Sequence, residues 1–333
     1  MRLLLVTDAW HPQQNGVVRV IGTLITTLKA MRHDIHLISP DGFVTLPCPT
    51  YPDIRLAVAA GRKVARRIDE IQPEAIHIAT EGPLGLAARM HCLKRRLPFT
   101  TAYHTHFPHY VHQRFGLPPS WLFSLVRRFH APSSGVLAPS PSIYRELRER
   151  GFGNVRSWTH GVDTATFRPQ DKSRIDLPRP IHMYVGRVAV EKNLPAFLDL
   201  DLPGSQVVVG SGPAREALIK RYPKAHFLIA HGDEDLARHY AAADVFVFPS
   251  RTDTFGLVMI EALASGVPVA AFPVTGPLDV IGTSAAGRLS ENLGLACREA
   301  LKIPPAICRE HALRFSWQET AAQFLGHLHP IAA

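Results

Sequence analysis

Two carboxylates, Asp253 and Glu261, stand with seven residues between them in Ser250-Arg251-Thr252-Asp253-Thr254-Phe255-Gly256-Leu257-Val258-Met259-Ile260-Glu261-Ala262-Leu263-Ala264. An apolar run at 245–248 precedes them, so the pattern reads as a buried strand, a sharp turn and an amphipathic helix. Asp253 is expected at the start of that helix. The backbone N–H groups of Thr254, Phe255, Gly256 and Leu257 would then point out of its first turn, an arrangement that suits an anion such as phosphate. An Asp before a helix also serves as a simple N-cap. Glu261 lies among apolar neighbours, where an inward carboxylate needs a partner. A polar ligand in a cleft between domains would supply one, whereas a helix phase that turns Glu261 to solvent would need none.

Three other groups could act on the same ligand. Arg187 stands just past a predicted strand, in Gly186-Arg187-Val188-Ala189-Val190-Glu191-Lys192-Asn193, with Lys192 at the start of the next helix. Arg grips phosphate bidentately and Lys acts as a compact charge, although single basic residues are common on any surface. Asn15-Gly16, after the first strand, offers either an ordinary loop or a turn that lets backbone approach a ligand. His104, His106 and His109 crowd the end of another strand. They suggest a metal site, but no Glu or Asp close by completes a ligand set; plain packing at a strand end is a second reading.

The composition of the 333 residues, 46% hydrophobic and 20% charged, is that of an ordinary globular protein large enough for two domains. The four cysteines follow neither a metal-ligand spacing nor a disulfide framework, and a reducing cytoplasm is the expected setting. The first residues are too few and too soon polar for a signal peptide, and no apolar run reaches the ~18 residues of a membrane span. The net charge of +9 is unevenly placed. Residues 1–160 hold 20 Lys and Arg against 10 Asp and Glu, while residues 161–333 hold 17 against 18. Clusters such as Arg62-Lys63, Arg66-Arg67, Lys94-Arg95-Arg96 and Arg127-Arg128 point to an anionic partner, either acidic lipid headgroups or nucleic acid.

Positioning these residues falls to short apolar runs that alternate with helical stretches, the pattern of parallel sheets covered by helices. Strands are expected at 3–7, 35–39, 75–78, 99–103 and 135–138, then at 181–185, 206–209, 226–229, 245–248 and 268–272. Residues 162–180, rich in Asp, Pro and Arg, read as a linker. The expected fold is α/β, with two doubly wound domains facing across a cleft and ligands at the carboxyl ends of the strands. No dinucleotide fingerprint follows the first strand, which argues against a dehydrogenase. Gly210-Ser211-Gly212-Pro213 reads as a tight strand-to-helix turn.

The carboxylate-seven-carboxylate stretch resembles the signature of retaining glycosyltransferases of family 4, which share the GT-B fold of two Rossmann-like domains. The wider family has Glu where this chain has Asp253. Thr252-Asp253-Thr254-Phe255-Gly256 and Tyr103-His104-Thr105-His106 are similar to a branch that includes sulfoquinovosyl-diacylglycerol synthases and bacterial mannosyl- and glucuronosyl-transferases. His160-Gly161-Val162-Asp163 through Phe167-Arg168-Pro169 resembles the family's interdomain junction. The resemblance implies an N-terminal acceptor domain over 1–165, a nucleotide-sugar domain over 166–316, and a final helix, 317–330, that packs back on the first.

By the same resemblance, His104 and Asp253 would hold the donor sugar, Arg187 and Lys192 its diphosphate, and Glu261 the ribose. Gly16, Gly186, Thr254, Phe255, Gly256 and Leu257 would meet the donor through backbone, and His231 would lie near the base. No metal, cofactor or nucleic acid is implied. The donor would be a UDP- or GDP-linked hexose or hexuronic acid. The acceptor would be a lipid hydroxyl, such as that of diacylglycerol or a glycolipid, with the enzyme in the cytoplasm or on the inner face of the membrane. Alternatives are a soluble family 4 enzyme of polysaccharide or lipopolysaccharide assembly, a GT-B epimerase and, more distantly, a basic nucleic-acid-binding protein. The last would explain the charge but neither Glu261 nor the two-domain pattern.

Overall fold

Runs such as Ala75–Ile78, Ile181–Val185 and Val245–Phe248 are buried at every residue, because helices cover both faces of the sheets they enter. The computed structural model describes residues 1–13, 15–48, 51–106, 108, 111, 116 and 118–331. They form two compact units, Met1–Thr159 with Trp317–Ala333, and His160–Ser316.

In the first unit the order is β1 (Arg2–Val6), α1 (Gly16–Ala30), β2 (Asp34–Ile38), a hairpin of β3 (Thr45–Cys48) and β4 (Tyr51–Ala57), then α2 (Gly61–Ile71) and β5 (Ala75–Ile78). There follow α3 (Pro83–Arg95), β6 (Thr100–Ala102), α4 (Pro119–His130), β7 (Gly135–Ala138), α5 (Pro141–Glu149) and β8 (Val155–Ser157). Six strands make a parallel sheet ordered β2-β1-β5-β6-β7-β8. Helix α1 shows how sequence sets an element here. Asn15 caps it by accepting from Val17 N and Val18 N at 3.0 and 3.1 Å, and Ile21, Leu24 and Leu28 bury one face.

The second unit runs β9 (Ile181–Val185), α6 (Pro195–Leu198), β10 (Ser205–Val209), α7 (Arg215–Arg221), β11 (His226–Leu228), α8 (Gly232–Ala242) and β12 (Val245–Phe248). It continues through α9 (Leu257–Ala264), β13 (Val269–Ala271), α10 (Pro277–Val280), β14 (Gly287–Leu289), α11 (Leu293–Ala300) and α12 (Pro305–Ala312). Its parallel sheet is ordered β11-β10-β9-β12-β13-β14.

The last helix, α13 (Trp317–His327), belongs to the first unit. Trp158 Nε1 donates to Thr320 O at 3.0 Å, Thr159 N to Gln323 Oε1 at 3.1 Å, and the Phe324 ring meets His77 edge-on at 4.9 Å.

The ten expected strands are all present. The hairpin β3–β4 and the edge strands β8 and β14 were not foreseen. Prolines at 47, 49 and 52 mask the hairpin's alternation, and Val155-Arg156-Ser157 and Gly287-Arg288-Leu289 are too short and polar to register. Residues 162–180 are not a bare linker. Val162 and Phe167 enter the second unit's core, and the Arg309 guanidinium donates to Phe167 O, Ala264 O and Thr164 O at 2.6, 2.8 and 2.8 Å. Polar composition concealed a segment held by a side chain far along the chain.

Candidate active site

In the second unit, β9 and β12 are neighbours, but the chain leaves β9 toward β10 and leaves β12 toward β13, on opposite sides. Such a switch point leaves a crevice at the carboxyl ends of the two strands, the usual ligand position in a doubly wound sheet. The loops that border it are those carrying Arg187 and Lys192 on one side and Asp253 on the other.

Close backbone packing fixes the first loop. Gly186 N donates to Val209 O at 3.0 Å and Val188 N to Ser211 O at 2.8 Å. Gly210 and Gly212 have φ of 145° and 153°, and a Cβ on them would lie 2.0 Å from Gly186 O and 2.3 Å from Val188 O. Only glycine tolerates that approach. The Gly-Ser-Gly-Pro turn therefore supports the Arg187 loop, and Arg187 O accepts from Tyr184 Oη at 2.8 Å. A single 3₁₀ turn, Val190–Lys192, follows and ends on Asn193 with a left-handed φ of 53°. The Asn193 amide donates to Pro249 O at 3.1 Å, tying this turn to the chain that leaves β12. Lys192 Nζ consequently stands 2.5 Å from Asp253 Oδ2, with the side chains 20% and 16% exposed.

Asp253 is not the cap of the following helix. Helix α9 begins at Leu257, and its N-cap is Gly256 at φ 90°, a left-handed turn that separates the carboxylate from the helix start. Asp253 Oδ1 instead accepts from Thr254 N at 3.0 Å, so the Thr254 amide is engaged by the carboxylate beside it. The side chain of Phe255 packs into the unit, edge-on to His160 at 5.1 Å and Phe315 at 6.2 Å. Gly276, at the start of α10, bears on the same loop, where a Cβ would come within 3.2 Å of Phe255 O.

Glu261 faces inward and is 4% exposed. Tyr240 Oη, on α8, donates to its Oε2 at 2.9 Å. No spacing in the sequence marks that partner, which sits on another helix. His231 caps the start of α8 on the exposed side, its N–H donating to Asp235 Oδ2 at 3.0 Å. It follows β11, which β10 separates from β9, so it stands apart from the Lys192–Asp253 pair.

The first unit has its own switch point, between β1 and β5. Gly16 opens α1 beside it, and a Cβ there would meet no described atom within 4 Å. Asp8, which the sequence reading passed over, is buried at the same place. Its carboxylate accepts from Thr80 Oγ1 at 2.8 Å, Leu84 N at 2.8 Å and Gly85 N at 3.2 Å, capping α3 from a distant part of the chain. Burial raises its pKa against the lowering effect of those donors.

His104 follows β6, its ring edge-on to Trp158 at 5.7 Å. Burial pushes its pKa down to about 4, with Glu81 opposing and His130 adding to the shift, so the ring is neutral near pH 7. His130 Nε2 lies 3.1 Å from Glu81 Oε1, a second pair the sequence did not reveal. His106 is buried edge-on to Tyr103 at 5.9 Å, while His109 lies outside the described residues. Among the described residues no group of three or more His, Cys, Asp or Glu could hold a metal ion.

The model of Glycosyltransferase Family 4 matches residues 14–166, and that of Glycosyl transferases group 1 matches residues 179–297. A GDP-mannose-dependent alpha-mannosyltransferase of Corynebacterium glutamicum is 31% identical over 87% of this chain and 76% of its own length. The chain belongs to glycosyltransferase family 4. The enzyme is also similar to the sulfoquinovosyl transferase SQD2 of Arabidopsis thaliana, 32% identical over 80% of this chain but only 55% of the relative's length. An alpha-monoglucosyldiacylglycerol synthase of Streptococcus pneumoniae is 29% identical over 98% of the chain and 84% of its own. Among solved structures, sucrose-phosphate synthase from Thermosynechococcus elongatus shares the fold with a TM-score of 0.76 at 19% identity, covering 97% of both chains. The two Rossmann-like halves are those of a GT-B glycosyltransferase.

Proposed function

We propose that this glycosyltransferase moves a hexose or hexuronic acid from a UDP- or GDP-linked donor to a lipid hydroxyl, with retention at the anomeric carbon and without a metal. The observation that carries the reading is the Lys192–Asp253 pair at the β9–β12 switch point, beside the first turn of the helix that buries Glu261. A pyrophosphate leaving its sugar gathers negative charge. Arg187 and Lys192, the amides of Phe255, Gly256 and Leu257, and the backbone at Gly186 and Gly16 would stabilise it.

Asp253 and neutral His104 would hold the sugar hydroxyls, Glu261 the ribose, and His231 would lie toward the base. The Thr254 amide would act through Asp253, orienting its carboxylate. Attack from the face that the diphosphate leaves, with the phosphate taking the acceptor's proton, needs no protein nucleophile. In this reading the first unit receives the acceptor and the second the donor. The basic first half and the diacylglycerol-directed relative support a membrane-lipid acceptor and a peripheral position on the cytoplasmic face. The mannosyltransferase relative favours GDP-mannose as the first donor to test.

Removing one preorganised donor of this kind costs roughly 3–4 kcal/mol in the barrier, so Lys192→Ala and Arg187→Ala are each expected to slow turnover by about 100–1,000-fold. Arg187→Ala should melt near the parent enzyme and Lys192→Ala somewhat lower, because it leaves the largely buried Asp253 carboxylate without its counter-charge, but both should stay folded at the assay temperature. Near-normal turnover by either purified variant would refute the diphosphate assignment.

A further inference from the structure

In the first unit α3 reaches the last turn of α4, where the Arg89 guanidinium donates to Phe129 O at 2.8 Å and Arg128 O at 3.0 Å. On its other flank α3 meets α2 through His91 Nε2 and Asp69 Oδ1, 3.1 Å apart. With both flanks engaged and Leu84, Ala88 and Cys92 buried beneath, one face of α3 points outward. At helical spacing that face carries Leu86, Met90 and Leu93, between 42% and 61% exposed. On α4, Trp121 and Leu125, one turn apart, are 56% and 49% exposed. Amphipathic surface helices ordinarily put polar residues there.

The setting of this apolar surface is cationic. Neither helix contains Asp or Glu, whereas Lys94, Arg95, Arg96 and Arg128 are all exposed at its margin. We infer that the outward faces of α3 and α4 form a membrane-docking surface for an anionic bilayer. Leu86, Met90, Leu93, Trp121 and Leu125 enter the headgroup boundary, and the basic residues meet lipid phosphates. A tryptophan among aliphatic side chains with basic residues around it is the composition of an interfacial helix. The long Lys and Arg stems can lie along the apolar layer while their charges stay at headgroup level. A second copy of this chain fits less well, since a two-fold contact would oppose like-charged margins. The inference deepens the lipid-acceptor reading, because it gives the first unit a fixed face toward the bilayer.

The test is sedimentation of the whole enzyme with vesicles of phosphatidylcholine alone and of phosphatidylcholine mixed with phosphatidylglycerol. The parent protein should sediment with the mixed vesicles and release as salt rises. Met90→Gln combined with Trp121→Gln should weaken that partition roughly 10–100-fold while leaving the melting temperature unchanged, as both side chains are exposed. Lys192→Ala, which disables the proposed donor site, should sediment like the parent, so failure of the surface and failure of the catalytic reading are distinguishable. Equal partition of the parent and the double variant would overturn the inference. So would a dimer in solution that the double variant dissolves, without any binding to vesicles.

Discussion

Holding Lys192 Nζ 2.5 Å from Asp253 Oδ2 in a largely buried setting removes part of the water each charge would otherwise have. The pair keeps both side chains in fixed positions before any ligand arrives, which lowers the reorganisation that a diphosphate would require. Glu261 is held in a comparable way, its Oε2 accepting from Tyr240 Oη inside the unit. Tyr240→Phe removes that donor and leaves a buried carboxylate oxygen short of a hydrogen bond, at an expected cost of about 1–3 kcal/mol. Chemical denaturation should register this as a lower midpoint with an unchanged slope; an unaltered midpoint would show that Tyr240 does not support Glu261. The inward turn of Glu261 was legible because a carboxylate among apolar residues needs a partner, whereas Asp253 stood out only by its place before the same helix. Tyr240, Asp8 and Glu81 were not, because each acts on a partner brought near only by folding.

At the scale of elements, the candidate site consists of loops that follow parallel strands, and close glycine contacts give them their shape. Gly210 and Gly16 separate the two uses of glycine. A methyl group at Gly210 would sit 2.0 Å from Gly186 O on a backbone with φ 145°, whereas at Gly16 it would meet no described atom within 4 Å. Gly210→Ala is expected to lower stability by roughly 1–3 kcal/mol through backbone strain and displacement of the Arg187 loop. Gly16→Ala, at a helix start, should leave stability unchanged or slightly raised, because Ala favours helix over Gly. Its donor KM should nevertheless rise. An unchanged KM would remove Gly16 from the donor site. Apolar runs such as 75–78 and 245–248 announced their strands, since burial on both faces demands it. The three-residue edge strands and the proline-bearing hairpin gave no such signal. Both sequence readings of Asp253 put it at the helix start, because capping patterns say nothing of a left-handed turn at Gly256.

Across the whole molecule, charge is unevenly divided. Residues 1–160 carry the basic excess, while residues 161–333, nearly neutral, hold Arg187, Lys192, Asp253 and Glu261. The division suits an enzyme whose first unit faces an anionic surface and whose second binds a soluble, charged donor. Two α/β halves could be read directly from alternating strands and helices. The return of the last helix to the first unit was expected only from the family resemblance, since its hydrogen bonds join residues more than 160 positions apart. In the proposed reaction the second unit binds a nucleoside diphosphate through Arg187, Lys192 and the first turn of α9. Calorimetric titration of UDP and of GDP into the parent enzyme and into Lys192→Ala tests it most directly. One nucleotide should bind the parent at a single site and bind the variant roughly 10–100-fold more weakly, as expected for loss of a hydrogen bond to a charged group. Binding of neither nucleotide, or equal affinity for parent and variant, would contradict the account.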